Sequence, residues 1–190
     1  MTEPGRKPAR DRLLDAAMAR FNHDGYNGAG IDAIVRDAGI ARMTLYNHFP
    51  SKDALIEAVL ARRHETLTGF FKSGIEASAA GPRDRLLAVF DVLGDWFESA
   101  DFRGCLFVRA VGELGESHPA IFDASRRHKE WYLGYLADAG RAGGLADPEG
   151  LAADLLLLVE GATARAAVSG GGRAEALRAK RIAEKLLTGC

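Results

Sequence analysis

The chain has 190 residues, a net charge of −1, and 47% hydrophobic and 27% charged residues, which is typical of a globular protein with one or two domains. Its two cysteines exclude a disulfide framework, and no apolar run reaches the roughly 18 residues of a membrane span. The polar start MTEPGRKPARDR lacks the apolar stretch of a secretory signal, so we expect a cytoplasmic protein.

Apolar residues recur at helical spacing along nearly the whole chain, without strand alternation or an internal repeat. This pattern predicts an all-α protein. A first helix, with Leu13, Ala17 and Phe21 on one face, ends near Asp24-Gly25. The other predicted helices cover 31–38, 41–49, 51–72, a segment from Gly81-Pro82 to residue 97, 105–115, 119–142, 148–169 and 173–188.

The segment from Gly25 to Leu55 contains the most specific local pattern. The helical pattern over 31–38 stops at Gly39, a residue type that adopts the left-handed conformation of a tight turn without strain. The pattern restarts at Ala41 and ends before Pro50, because proline disfavours helix at the preceding residue. Two short helices joined by a glycine turn predict a helix-turn-helix, whose second helix reads DNA.

This second helix predicts the DNA-contacting surface. If Leu45 lies in the core, Met43 and Asn47 point away from it at about 100° per residue. Asparagine pairs with adenine, arginine with guanine, and a methyl group contacts thymine. Hydroxyl, imidazole and ammonium groups contact phosphates, and Lys52 follows a predicted N-cap at Ser51. The predicted DNA-binding residues are Arg42, Met43, Thr44, Tyr46, Asn47, His48 and Lys52.

The charge distribution mildly favours DNA binding at this end of the chain. Residues 1–63 contain ten Lys and Arg against eight Asp and Glu, whereas the remainder contains fifteen against eighteen. A small basic patch is enough when phosphate contacts are few. The alternative is a solvated surface helix of an ordinary bundle. The basic residues of the predicted arm and reading helix are Arg6, Lys7, Arg10, Arg12, Arg36, Arg42 and Lys52.

Residues 12–55 resemble the DNA-binding domain of the TetR (tetracycline repressor) family of bacterial regulators. The matching segments are RLLDAAMARF, Gly25-Tyr26, IDAIVRDAGIARMTLYNHF and SKDAL, and FRGCLFVRAVGEL is similar to a ligand-domain segment of one subgroup. Gly30 and Ala41 stand where the family usually has Ser or Thr as N-caps, and Ala costs about 1 kcal/mol there. Met43 stands where a small residue is usual, so relatives do not supply the base preference.

The resemblance implies a helix-turn-helix domain over 1–50 and an effector-binding and dimerisation domain over 51–190. In the family, two helices of each subunit form a four-helix dimer interface, which here corresponds to 148–169 and 173–188. The first of these is apolar on most sides, more than one bundle face requires. A central helix buried within a monomer is the alternative. A two-fold dimer suits a palindromic operator.

Aromatic residues in the middle of the chain predict an effector pocket. Rings with a few polar tips suit a small apolar or aromatic ligand, although most rings at helical spacing are simply core. The predicted effector-binding residues are Phe90, Trp96, Phe97, Phe102, Cys105, Phe107, Trp131 and Tyr135, with Tyr132 as a further wall. Candidates for polar contacts are Glu113, His118, Glu160 and Arg165.

Cys105 has two interpretations. It follows Arg103-Gly104 at a predicted helix start, where the helix dipole and the arginine favour a thiolate. In some TetR-like proteins a cysteine in a similar segment senses oxidants or electrophiles, and the resemblance implies that role as one option. The apolar run Leu106-Phe107-Val108 favours instead an unreactive core residue. Cys190 is a poor resolving partner unless the tail folds back.

The sequence predicts a regulator without cofactor or metal rather than an enzyme. It contains no nucleophile elbow, phosphate loop or paired metal motif, and the glycines at 170–172 follow no strand. A ligand-independent architectural DNA-binding protein is a third class. The family is mostly repressive, but the choice between repression and activation depends on where the operator lies.

Overall fold

The computed structural model describes residues 7–188, which are entirely helical apart from turns and loops. This confirms the predicted all-α fold. A short 3-10 turn covers Gly115–Ser117. The helices of the described residues are α1 (Ala9–Gly28), α2 (Ile31–Ala38), α3 (Arg42–His48), α4 (Lys52–Ser78), α5 (Pro82–Phe97), α6 (Leu106–Leu114), α7 (Pro119–Ala142), α8 (Pro148–Ser169) and α9 (Ala174–Thr188).

The chain forms two compact units. The first contains residues up to 64 together with 106–126, and the second contains 65–105 together with the residues from 127 onwards. Helices α4 and α7 each begin in the first unit and continue into the second. The units therefore differ from a simple division at residue 50, because α6 folds with the helix-turn-helix.

One face of α1 forms the core of the first unit. Leu13, Ala17 and Phe21 are fully buried, as their spacing predicts, and the ring of Tyr26 packs on Phe21 with centroids 5.0 Å apart. Each large side chain buried in this way contributes about 1.5–3 kcal/mol. The helix-turn-helix is therefore held by a continuous apolar core.

Helix α1 differs from the prediction at its end. Gly25 has the non-helical values φ 77° and ψ 174°, which interrupt the helix where the prediction ended it. A further turn follows to Gly28, and the Ala29 N–H donates to the Gly25 carbonyl over 3.2 Å. The sequence located the break but not the turn after it.

Helix α4 is longer than the predicted 51–72 helix, whose end at Lys72 is wrong. Phe71 and Ile75 are both buried and lie one turn apart, so the apolar stripe continues past Lys72. A side chain at Gly74 would lie 2.9 Å from Val92 of α5, which shows how closely the two helices pack. Tertiary packing therefore extends the helix to Ser78.

The second unit has α5, α8 and α9 packed against one another. Lys180 of α9 donates to Asp91 of α5 over 2.6 and 2.8 Å, and Arg173 pairs with Asp95 and Glu98. These ion pairs attach the last helix to α5. Within the described part of the chain, no helix is both long and apolar enough to cross a membrane.

Candidate functional site

The turn between α2 and α3 has the geometry that the sequence predicts. Gly39 ends α2 in the left-handed conformation with φ 61° and ψ 46°. Arg12 of α1 donates from Nη1 to the Ala38 carbonyl over 2.9 Å and to the Gly39 carbonyl over 3.3 Å. Since the last carbonyls of a helix lack intrahelical partners, this arginine caps α2. Ala41 begins α3 without a side-chain cap.

The outer face of α3 is solvent-exposed. Leu45 is fully buried, whereas Met43 is 72% exposed, and Asn47 and His48 are also exposed. Thr44 is half-buried at the flank. The helix therefore presents the side chains predicted to face the bases and phosphates of DNA.

Arg42 and Tyr46 interact on the same face. The Arg42 guanidinium lies 5.9 Å from the centroid of the Tyr46 ring and donates from Nη1 to Oδ1 of Asp32 over 3.0 Å. Both charged partners are exposed, so the ion pair contributes little to stability and is easily exchanged for a phosphate or a base.

The start of α4 follows α3 closely in the sequence. Oγ of Ser51 accepts from the Ala54 N–H over 3.1 Å, which confirms the predicted N-cap. Lys52 follows it in the first turn and is half-buried. A helix N-terminus with a lysine in its first turn is suited to a phosphate group.

The basic residues of the arm have internal partners. Lys7 pairs with Asp15 over 2.7 Å, and the Arg10 guanidinium lies 5.4 Å from the centroid of the Phe49 ring. The guanidinium of Arg12 caps α2. Arg6 lies outside the described residues.

Helix α6 docks onto the end of α1 through several hydrogen bonds. The Tyr26 hydroxyl donates to the Leu106 carbonyl over 3.1 Å, and Arg109 donates from Nη1 to the Asn22 carbonyl over 2.9 Å. Oε2 of Glu113 accepts from the Asn27 N–H over 2.9 Å. A side chain at Gly25 would lie 2.5 Å from the same carboxylate, so the absence of a side chain there leaves room for it.

Two polar residues predicted for the effector pocket belong to the first unit. Glu113 binds α1 as described, and Nε2 of His118 lies 3.6 Å from Oδ2 of Asp53. Neither residue lines the cavity of the second unit. Arg165 pairs instead with Glu175, over 3.1 Å.

The second unit contains a mostly apolar cavity. The centre of a water molecule can occupy about 20 Å³ of this cavity. That is room for one ordered water. A larger ligand must therefore displace side chains. The cavity is lined by Leu67, Phe71, Leu93, Trp96, Cys105, His128, Lys129, Tyr132, Val159, Glu160 and Thr163.

A lysine joins the cysteine and the glutamate of this cavity. Nζ of Lys129 lies 3.3 Å from Sγ of Cys105 and 2.6 Å from Oε1 of Glu160. Burial alone would lower the pKa of Lys129, but Cys105 and Glu160 outweigh it and raise that pKa above its ordinary value. The lysine is therefore a stable cation at neutral pH.

The predicted pocket residues divide into those that line the cavity and those that lie elsewhere. Trp96, Cys105, Tyr132 and Glu160 line it. The remaining aromatic residues do not, and Phe107 belongs to the first unit. The predicted aromatic residues that belong to the second unit but do not line the cavity are Phe90, Phe97, Phe102, Trp131 and Tyr135.

Sequence reasoning missed three polar lining residues, His128, Lys129 and Thr163. Lys129 lies three residues before Tyr132 on α7, so the two share a helix face. That spacing is the signal in the sequence that could have identified Lys129 as a lining residue. Arg103 was expected beside Cys105, but its Nη1 donates to the carbonyls of Ala100 and Phe102.

Comparison with known proteins identifies the family. Residues 13–59 match the bacterial regulatory proteins of the tetR family, and residues 82–182 match the tetracyclin repressor-like C-terminal domain. The crystal structure of SCO4454, a TetR-family transcriptional regulator from Streptomyces coelicolor, superposes with a TM-score of 0.86. It is 29% identical over 95% of both chains.

Two curated relatives are also transcriptional regulators of the helix-turn-helix type. UidR of Escherichia coli K12 is 39% identical over 70 residues, which are 37% of this chain and 36% of UidR. The chain thus spans about a third of that relative's length. SrpR of Pseudomonas putida is 32% identical over 138 residues, 72% of this chain and 63% of SrpR. The match across both domains shows that the chain belongs to the TetR family of bacterial regulatory proteins.

Proposed function

We propose that the chain is a dimeric transcriptional repressor that binds a palindromic DNA operator and is released by a small apolar or aromatic effector. The observation that carries this proposal is the exposed face of α3, with Met43 72% exposed and Asn47 beside it, on a helix-turn-helix of the TetR family. Since its target is bacterial DNA, the protein acts in the cytoplasm.

Base reading is assigned to the outer face of α3. Asn47 pairs with an adenine, Arg42 with a guanine, and the Met43 methyl group contacts a thymine in the major groove. Thr44, Tyr46, His48 and the Lys52 ammonium contact phosphates, which fix the register of the helix without reading sequence. The N-cap at Ser51 and the exposure of five of these side chains support this division of roles. The exposed side chains are those of Arg42, Met43, Tyr46, Asn47 and His48.

Dimerisation is assigned to α8 and α9. Val168 is 90% exposed and Leu157 71% exposed on α8, and Leu177 and Ile182 are exposed on α9. Apolar side chains exposed along two neighbouring helices are typical of a protein interface. A two-fold dimer through these helices presents two α3 helices to the two half-sites of a palindrome.

Effector binding is assigned to the cavity of the second unit. Phe71, Trp96 and Tyr132 supply aromatic walls, and Lys129 and Glu160 supply polar groups. Half-sites lie about 34–36 Å apart or a multiple of that, so a few ångströms of shift between the two α3 helices abolish simultaneous binding. The effector shifts this equilibrium only by its differential affinity for the two states.

The test uses an operator selected from random DNA with the full-length protein. Asn47→Ala is expected to cost about 1–3 kcal/mol at one base position and to relax specificity there. Lys52→Gln is expected to weaken binding to all sequences and to reduce the salt slope by about one unit. Lys72→Gln, an exposed lysine on the same helix, serves as the matched control. Parent-like binding of the first two variants would refute the assignment of α3.

Thiol sensing is a second candidate function, favoured by one observation. Nζ of Lys129 lies 3.3 Å from Sγ of Cys105 at the cavity wall, and cysteines that react with electrophiles typically lie beside such a cation. The sensing role would need no second cysteine for alkylation, and Cys190 lies outside the described residues.

Iodoacetamide distinguishes the two candidates. Its reaction forms a sulfur–carbon bond, releases iodide and consumes the thiolate. We expect a sensor to leave its operator after alkylation, while Cys105→Ser stays bound. Equal behaviour of the parent and Cys105→Ser would leave Cys105 as a packing residue and reject sensing.

A further inference from the structure

The indole of Trp96 carries a buried donor that has no acceptor in the described part of the chain. The side chain is 8% exposed and lines the cavity, and its Nε1–H donates to no atom of the described residues. Buried donors are satisfied in the great majority of cases, and an unmade hydrogen bond costs free energy. A ligand atom that accepts this bond would recover that free energy.

The charged groups of the cavity are already balanced. Nζ of Lys129 donates to Oε1 of Glu160 over 2.6 Å, and the Thr163 hydroxyl donates to the Val159 carbonyl over 2.7 Å. A ligand with a net charge would bring a further charge into an apolar cavity, which is costly. The arrangement therefore favours a neutral ligand.

The walls around the indole favour a flat ligand. The rings of Phe71 and Trp96 meet edge to face with centroids 6.1 Å apart, and those of Phe71 and Tyr132 with centroids 5.4 Å apart. Aromatic rings prefer such edge and offset contacts with one another. The cavity has room for only about one water molecule, so any ligand must displace side chains. A ligand with a single ring requires the smallest displacement.

We propose that the effector is a neutral, flat, single-ring compound with a carbonyl or similar acceptor oxygen, which accepts a hydrogen bond from Nε1–H of Trp96. This inference rests on the proposed effector role of the cavity and names the chemistry of its ligand. Trp96 is then the residue that distinguishes an oxygen-bearing ligand from a hydrocarbon of the same shape.

Acetophenone and α-methylstyrene test the inference, because they differ only by a carbonyl oxygen in place of a methylene group. A hydrogen bond to a buried donor corresponds to about a tenfold preference. We expect the full-length protein to bind acetophenone about ten times more tightly in an NMR titration. Trp96→Phe keeps an aromatic wall and is expected to abolish that preference while still binding α-methylstyrene. Trp131→Phe, which removes a tryptophan outside the cavity lining, is expected to keep the preference.

A second measurement does not depend on the Trp96 variant. The chain has two tryptophans, so Trp131→Phe assigns the indole N–H resonance of Trp96. Acetophenone is expected to shift this resonance downfield, and α-methylstyrene is not.

The outcomes separate this inference from the proposed function. Equal affinities of the parent for both probes, or an unchanged preference in Trp96→Phe, would overturn the acceptor assignment and leave the cavity as an effector site. Failure of the parent to bind either probe would overturn the inference together with the assignment of the cavity to aromatic effectors.

Discussion

Replacement of Arg12 by methionine distinguishes a structural arginine from a DNA-binding one. Methionine keeps much of the apolar stem and removes the guanidinium, which donates to the carbonyls of Ala38 and Gly39 over 2.9 and 3.3 Å. Hydrogen bonds from a charged donor are worth about 1.5–3 kcal/mol. Because Nε of Arg12 is buried without an acceptor among the described residues, we expect a loss at the lower end, about 1.5 kcal/mol.

The expected loss converts to a measurable melting shift. For a chain of this length, 1 kcal/mol corresponds to about 2–4 °C, so the melting temperature should fall by about 3–6 °C. The slope of log K for the operator against log salt concentration should not change, because no phosphate contact is lost. Thermal unfolding and a salt titration of operator binding measure the two quantities.

Lys52→Gln provides the opposite control, with a salt slope reduced by about one unit and little change in melting temperature. An Arg12→Met protein that melts like the parent and loses one unit of salt slope would refute the capping role. Arg12 would then contact a phosphate, as the basic arm of the sequence suggests.

Two further predictions concern the dimer and the docking of α6. Leu157→Glu places a charge on the exposed apolar side of α8 and should convert the dimer to a monomer in sedimentation analysis, whereas Leu133→Glu on α7 should not; an intact dimer would exclude α8 from the interface. Glu113→Ala removes the acceptor for the Asn27 N–H. For any compound that releases the parent from the operator, we expect this variant to lower the ratio of the compound's affinities for free and operator-bound protein. Glu57→Ala, at an exposed residue, is the control. An unchanged ratio of compound affinities for free and operator-bound protein would show that this bond carries no coupling.

Helix boundaries follow from the sequence where a local residue fixes them. Helix α8 covers the predicted 148–169, because Pro148 begins it and Gly170 ends it in the left-handed conformation. The end of α4 is not fixed in this way, because Gly74, a residue type that often ends a helix, lies inside α4. Burial of Ile75 decides it, and a contact with another helix leaves no local signal.

The DNA-contacting face of α3 and the cavity also differ in how far local sequence predicts them. The exposed face of α3 follows from the helical period alone, since Leu45 is buried and Met43 and Asn47 are exposed. The group at the cavity wall does not, because Lys129 is 24 residues from Cys105 and 31 from Glu160. A lysine is usually a surface residue, so only the fold reveals its partners.

Helix α6 changes the route by which an effector would act on DNA binding. Helix α4 runs from the first unit into the second and contributes Leu67 to the cavity. However, α6 begins directly after Cys105, another lining residue, and is bonded to α1 through Tyr26, Arg109 and Glu113. Two segments therefore lead from lining residues into the unit that carries α3. Since a ligand must displace side chains to enter so small a cavity, we expect displacement near Cys105 to act on α1 through these covalent and hydrogen-bonded contacts, which do not involve α4.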